Sequence, residues 1–309
     1  MSRVSPAVNR TRRGAGRPVP AAHATYELAE GELAPLTRPT RVFGVGLSYA
    51  EHIAETGAPF VPGEAPPVFE KRWSETRPRV LSPTADELLA AAEALEPGLA
   101  DELRARGVSL DPLLDYEVEL GLVTLAEVDG KRLGDPQYAP PLGFFVANDL
   151  SARALALLGE REATYRFWGA SKSFAGFSPA MSRAWIPRAH RRDGLPRVRL
   201  ETRVNGELRQ QQWAHDMVYT TSEFLRFIQD FAGEPVRAGT WILTGTPGGV
   251  AIRTPRWKIR LASLLGVGRF RKLSIKLRER AKFLQPGDEV ICSGSGLGSI
   301  TTEIVSAST

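Results

Sequence analysis

Residues 115–120 read Asp115-Tyr116-Glu117-Val118-Glu119-Leu120, and the fold reading turns on the alternation of apolar and acidic side chains along them. Alternate residues of a β-strand share a face. Tyr116, Val118 and Leu120 are therefore expected to face a core, with Glu117 and Glu119 pointing together the other way, roughly 7 Å apart at Cα. Two carboxylates held side by side repel unless a cation sits between them. A second apolar run, Leu142-Gly-Phe-Phe-Val-Ala147, ends at Asn148-Asp149, so Asp149 offers a third oxygen ligand. Three carboxylates with no Cys nearby suit a hard cation such as Mg²⁺ or Mn²⁺. The plainer reading of the same alternation is an acidic face turned to solvent.

Outward from this stretch the chain reads as many short strands with a few helices. Arg41-Val-Phe-Gly-Val45, Val198–Val204, Trp241–Thr244, Asp288–Cys292 and Ser299–Val305 have strand character, and Asn205-Gly206 is a strong hairpin signal after the second of these. Ser48 is expected to cap a short helix that carries His52 and Glu55 and stops at Gly57. Thr84-Ala-Asp-Glu87 has the form of a capping box opening a helix to about Leu95. Ser151 is expected to cap a helix after Asp149, and Phe224, Phe227, Ile228 and Phe231 mark another between Ser222 and Phe231. No internal repeat is present, and the mixture predicts a β-rich α+β fold with peripheral helices.

The 309 residues are 42% hydrophobic and 24% charged, ordinary for a globular enzyme able to bury a large core. The single cysteine, Cys292, excludes an intrachain disulfide and fits a reducing cytoplasm. No apolar run approaches the roughly 20 residues of a membrane span. The formal net charge of +5 is uneven. Residues 1–20 hold five Arg and no acid, and residues 253–282 hold eleven Lys or Arg and one acid, a net of +10. The remaining chain is therefore acidic.

This divides the chain into a basic disordered tail (1–22), an N-terminal segment (23–80) and a catalytic domain (81–309) carrying a basic insertion at 253–282. The tail is Arg-rich and acid-free, so an organelle-targeting peptide is a minor alternative. Within the insertion, Trp257, Leu261, Leu264 and Leu265 form a helical stripe. A stripe of this kind is expected to pack on its own domain or across a dimer, with a membrane or nucleic-acid contact as the alternative.

Eight segments, in order, resemble the fumarylacetoacetate hydrolase family over about residues 40–305. They are Gly44-Val-Gly-Leu-Ser48-Tyr49-Ala-Glu-His52-Ile-Ala-Glu55-Thr-Gly57, Pro67-Val-Phe-Glu-Lys71, Tyr116–Leu120, Asn148-Asp149-Leu-Ser-Ala-Arg153, Ala170-Ser-Lys172-Ser-Phe174, Val204-Asn-Gly-Glu207 with Gln210, Leu243-Thr-Gly-Thr246-Pro-Gly-Gly-Val250, and Leu284-Gln-Pro-Gly-Asp288. The resemblance implies that family's mixed β-sandwich roll. It implies metal ligation by Glu117, Glu119 and Asp149. The i, i+3 pair His52 and Glu55 would activate water on a lid, with the carboxylate orienting the imidazole as general base. Lys172 would pair with substrate oxygens, and Arg153, Thr246 and Tyr49 would contact substrate.

The activity so implied is metal-dependent cleavage of a C–C bond in a 2-oxo acid or 1,3-diketo acid, through an enolate stabilised by Mg²⁺ or Mn²⁺. Decarboxylase, hydratase and isomerase chemistry on the same platform are alternatives, as is a non-catalytic binding protein using the basic insertion. A homodimer is expected. The chain departs from the family pattern in places. Arg153 is followed by Ala154-Leu-Ala156 where a polar clamp is usual, and Lys172-Ser-Phe is followed by Ala175 rather than Asp. Ser48 replaces Asn before Tyr49. A more apolar pocket follows from these changes.

Overall fold

The computed structural model describes residues 18–56, 61, 64–75, 77–252 and 268–306. Two sheets organise these residues. The larger has seven strands in the order Gly31–Pro35, Arg183–Pro187, Leu142–Asn148, Val118–Thr124, Thr240–Leu243, Arg41–Val45 and Val68–Lys71. Its neighbours are antiparallel except Thr240–Leu243 against Arg41–Val45. The smaller has five strands, Glu207–Trp213, Arg199–Val204, Glu289–Gly294, Gly298–Ser306 and Arg79–Ser82. This is the β-rich sandwich expected from the sequence.

Leu120, Leu122, Phe144 and Val146 of the large sheet share one core with Leu200, Val290, Cys292, Ile300 and Ile304 of the small one. Val42, Val123, Phe145, Ala147, Trp241 and Leu243 form a second buried cluster. Every residue of Val118–Thr124 is therefore buried. The alternation at 116–120 separates one buried face from another, not a core from solvent.

Local signals held where the chain closes its own hydrogen bonds. Thr84 and Glu87 make a reciprocal capping box on the helix Ala85–Leu95. Thr220 and Glu223 do the same on Thr221–Ala232, which ends at Gly233 in the left-handed region. The hairpin between Arg199–Val204 and Glu207–Trp213 turns through Asn205 and Gly206, both with positive φ, as a tight primed turn requires. Two caps fall elsewhere. The helix that carries His52 and Glu55 is Ala50–Thr56, one residue beyond what a Ser48 cap would give, and Ser48 Oγ is buried without a hydrogen-bond partner among the described residues. Ser151 sits in a two-residue strand against Leu114–Asp115, its hydroxyl donating to Asp149 O, and the next helix, Arg153–Leu158, starts after Ala152. In both places tertiary pairing overrides the local capping preference.

The structure describes the basic insertion from residue 268 onward. The predicted stripe at 257–265 lies outside the described residues, as does Gly57. The distal part forms the helix Arg269–Arg278, packed on the chain's own domain through the buried Leu273. Of the basic tail, residues 1–17 lie outside the described residues, whereas Ala21 N donates to Met217 O at 2.8 Å. Among the described residues no helix is long and apolar enough to cross a membrane.

Candidate active site and metal centre

Glu117 and Glu119 meet Asp149 because the strands that carry them are hydrogen-bonded neighbours, with Val118 opposite Asn148. The crossing is locked at the site itself. Asp149 N donates to Glu117 O at 2.9 Å, and Glu117 N donates to Asn148 Oδ1 at 3.0 Å. The result is three buried carboxylates with one oxygen from each within 4.8 Å of the others.

Three cations surround the triad. Lys172, at the C-terminal cap of Thr164–Ser171, donates to Asp149 Oδ2 at 2.6 Å and also to Glu117 Oε2. Lys71, the last residue of its edge strand, donates to Asp149 Oδ1 and to Phe177 O, the latter at 3.0 Å. Arg153 sends Nη2 to Glu117 Oε1 and Nε to Asp115 Oδ2 at 2.9 Å. Asp115 is itself buried and accepts Tyr116 N at 3.0 Å, Ala251 N at 2.8 Å and Ile252 N at 3.3 Å. Neither Lys71 nor Asp115 is singled out by the sequence as a site residue. The available signal for Lys71 is alternation in Val68–Lys71, which puts it on the buried face with Phe69. A lysine at a buried alternation position asks for carboxylate partners.

The field separates the acids. Burial works against ionisation of Glu117, but Arg153 and Lys172 hold its carboxyl down at about 2. Burial pushes the Glu119 carboxyl well above the ordinary range, and the charges of Asp149 and Glu117 push the same way. The two lysines also diverge. Burial outweighs Asp149 at Lys71 and lowers its ammonium, whereas Asp149 and Glu117 outweigh burial at Lys172 and raise it. With all groups charged, the acids Asp115, Glu117, Glu119 and Asp149 exceed the bases Lys71, Arg153 and Lys172 by one. A buried oxygen set short of positive charge is the donor chemistry of a hard divalent cation, so the residues fit Mg²⁺ or Mn²⁺.

One loop, Thr244 to Ile252, ties the site together. Gly245 N donates to Glu119 Oε2 at 2.8 Å, and Gly249 N donates to both oxygens of Glu55, at 3.2 and 3.1 Å. Gly245 has φ +92°, and a Cβ there would sit 2.7 Å from Ser48 Oγ and 2.8 Å from Val45 O. The close approach thus needs glycine for both shape and dihedral. Thr246 is brought to the site, but its hydroxyl donates to Val118 O at 3.1 Å and accepts Gln210 Nε2 at 2.8 Å. These bonds tie it to the strand that carries Glu117 and Glu119. Gln210 completes that support, with Oε1 accepting Val118 N at 3.1 Å and Thr202 Oγ1 at 2.8 Å.

His52, Glu55 and Tyr49 also converge on the site. His52 lies close enough to Glu117 to act on its charge. His52 Nδ1 is 3.9 Å from Glu55 Oε2, an ion-pair separation and too long for a hydrogen bond. Tyr49 is buried, its hydroxyl unpartnered among the described residues, and burial followed by the charges of Glu119 and Asp216 raises its pKa.

The family model of the fumarylacetoacetate hydrolase C-terminal domain matches residues 41–305, which contain all of these groups. The chain belongs to the fumarylacetoacetate hydrolase family. A mitochondrial oxaloacetate tautomerase of Bos taurus is 31% identical over 279 residues, covering 88% of this chain and 69% of that protein. An oxaloacetate tautomerase of Bacillus subtilis is 28% identical over 228 residues, 73% of this chain and 65% of the relative. Two solved structures share the fold. The 5-carboxymethyl-2-hydroxymuconate delta-isomerase of Mycobacterium smegmatis superposes with a TM-score of 0.53 at 22% identity, over 90% of this chain and 82% of its own. The fumarylpyruvate hydrolase of Pseudomonas aeruginosa, solved with Mn²⁺ and pyruvate, gives 0.53 at 18% identity over 87% and 91%. This chain thus belongs to a family of enzymes, with relatives named as oxaloacetate tautomerases, and it shares its fold with an isomerase and a hydrolase.

Proposed function

We propose that the protein is a divalent-metal enzyme acting on a 2-oxo acid at the carbon next to the oxo group, with keto–enol tautomerisation as its reaction. The observation that carries this reading is the buried triad Glu117, Glu119 and Asp149 bracketed by Lys71 and Lys172. Mg²⁺ or Mn²⁺ held by the triad would act as a Lewis acid on the 2-oxo group. Lys172, kept protonated by Asp149 and Glu117, is placed to donate to an oxygen that gains charge. Lys71 is the ammonium that burial disfavours, so the two lysines on Asp149 suit opposite ends of a proton transfer. The oxaloacetate tautomerases at about 30% identity support the same reaction type.

Arg153 is followed by Ala154 and Ala156 on its helix, so this stretch offers no second polar clamp. We therefore favour a 2-oxo acid with an apolar arm.

Hydrolysis of a C–C bond in an acylpyruvate-type substrate is the second reading. It is favoured by His52, a buried imidazole whose Nδ1 faces Glu55 Oε2 at 3.9 Å and takes no hydrogen bond among the described residues, which suits a water-activating base. The test is turnover with Mg²⁺, with Mn²⁺ and after chelation. Enol decay is followed for oxaloacetate and for 2-oxo acids with neutral arms, and acid release is followed for acylpyruvates. Metal-dependent loss of the enol signal without acid release is the expected result. Activity that survives chelation sinks both readings, and stoichiometric acid release replaces the first with the second.

A further inference from the structure

The basic insertion takes no part in the chemistry above. We propose that the outer face of the helix Arg269–Arg278, with the turn after it, docks on an anionic lipid bilayer.

The inner face of this helix is anchored. Arg269 donates to both oxygens of Glu96 at 2.7 and 2.8 Å and to Glu102 at 3.2 Å, and its backbone N–H is taken by Glu160 at 2.9 Å. Arg106 lies 4.3 Å over the Phe270 ring, and Leu273 is fully buried. The helix is thus a fixed platform on the body of the enzyme.

Its outer face has a different character. Arg271, Lys272, Ile275 and Arg278 follow the i, i+1, i+4, i+7 spacing of one helical stripe, and all four are exposed. Arg280, just beyond, is exposed as well. None of these four cations has a carboxylate partner among the described residues. The acid nearest in sequence, Glu279, is paired with Lys276 at 3.2 Å and Lys282 at 3.5 Å. Many other surface arginines are matched with acids, as in Arg41–Glu70, Arg79–Glu303, Arg106–Glu102 and Arg191–Glu30, and those that are not, such as Arg166, Arg183 and Arg188, donate to backbone carbonyls. Residues 252–278 contain no Asp or Glu at all. A face so stripped of acid calls for a polyanion.

Ile275 decides which polyanion. It is 46% exposed and ringed by Arg271, Lys272 and Arg278. An aliphatic side chain among cations suits the boundary of a bilayer, where it enters the acyl region while guanidinium and ammonium groups meet lipid phosphates. A phosphodiester backbone gains nothing from it.

The test uses the full chain and sedimentation with vesicles. Binding to phosphatidylcholine mixed with phosphatidylglycerol, but not to phosphatidylcholine alone, is expected. It should fade as salt rises from about 0.1 M to about 1 M, which shortens the screening length from about 10 Å to about 3 Å. The quadruple variant R271E/K272E/R278E/R280E should lose binding at least tenfold, and its four-glutamine counterpart covers the case in which the reversal unfolds the helix. Ile275→Ser should weaken vesicle binding and leave any binding of random duplex DNA unchanged. Indifference of the parent chain to anionic vesicles overturns the proposal, as does a four-glutamine variant that binds like the parent. Equal capture by DNA, with Ile275→Ser silent on vesicles, also overturns it in favour of a general polyanion face.

Discussion

The triad region and the helix Arg269–Arg278 are both dense in charge, and they handle it in opposite ways. In the triad region four carboxylates and three cations are buried together, each with partners in hydrogen-bond reach. On the helix, Arg271, Lys272 and Arg278 stand in solvent with no acid partner among the described residues. The difference is one of dielectric. A charge in water costs little and needs no partner, so an exposed cluster carries no structural obligation. A charge away from water must be compensated or neutralised, and that necessity perturbs Glu117, Glu119, Lys71 and Lys172. The buried cluster is therefore the place to look for chemistry, and the exposed one for an external partner.

Substitutions should respect this contrast. The largest effect is expected for Glu119→Ala or Asp149→Ala, which remove a ligand from the triad. Mg²⁺ affinity should fall by more than the roughly 10–100-fold typical of outer-shell groups, with turnover undetectable. Titration calorimetry showing parent-like affinity in both variants breaks the metal assignment. His52→Ala comes next. If this imidazole is the base, turnover should fall about 10²–10⁴-fold while Mg²⁺ affinity is kept. A variant that loses both would place the lid inside the metal centre.

Asp115→Asn tests the support beneath. It takes the charge from the partner that fixes Arg153, and breaking a buried pair of this kind costs roughly 3–5 kcal/mol. A lowered Tm together with a raised KM is expected. A lowered Tm with KM unchanged would restrict Asp115 to folding.

The pH dependence is smaller and has a defined sign. Because the Glu119 carboxyl is raised, protons compete for it with metal, so Mg²⁺ binding should weaken as pH falls and should release a proton when measured in buffers of different ionisation enthalpy. Glu117 runs the other way. Its folded pKa, about 2, lies below the ordinary carboxylate value. Its contribution to stability is therefore present above about pH 4.3 and is lost as pH falls toward about 2. Acid unfolding of the metal-free chain, followed by circular dichroism, reads this directly.

The smallest effect on catalysis belongs to the exposed face. R271E/K272E/R278E/R280E should leave Mg²⁺ affinity and turnover within about twofold, since surface charges away from special features rarely shift energies beyond about 0.5 kcal/mol. A large loss of turnover would mean that the helix reports to the site through the helix Arg153–Leu158, against which it packs.

Features that follow from neighbours along the chain were legible before any fold was known. The Asn205-Gly206 hairpin, the Thr84/Glu87 box and the strand alternation that aims Glu117 and Glu119 the same way all depend on periods of two to four residues. Motif order also pointed to Asp149, Lys172, His52, Glu55 and Arg153, all of which the fold draws together. The remainder came from long-range packing. It buried both faces of Val118–Thr124 by giving the large sheet apolar clusters on both sides. It brought Lys71 to Asp149 across 78 positions of sequence, and Asp115 to Arg153 and the Ala251–Ile252 backbone. It turned Thr246 toward Val118 and Gln210. A carboxylate's need for compensation is a local property, but the partner that meets it is chosen by which strands become neighbours, and no short-range pattern records that choice.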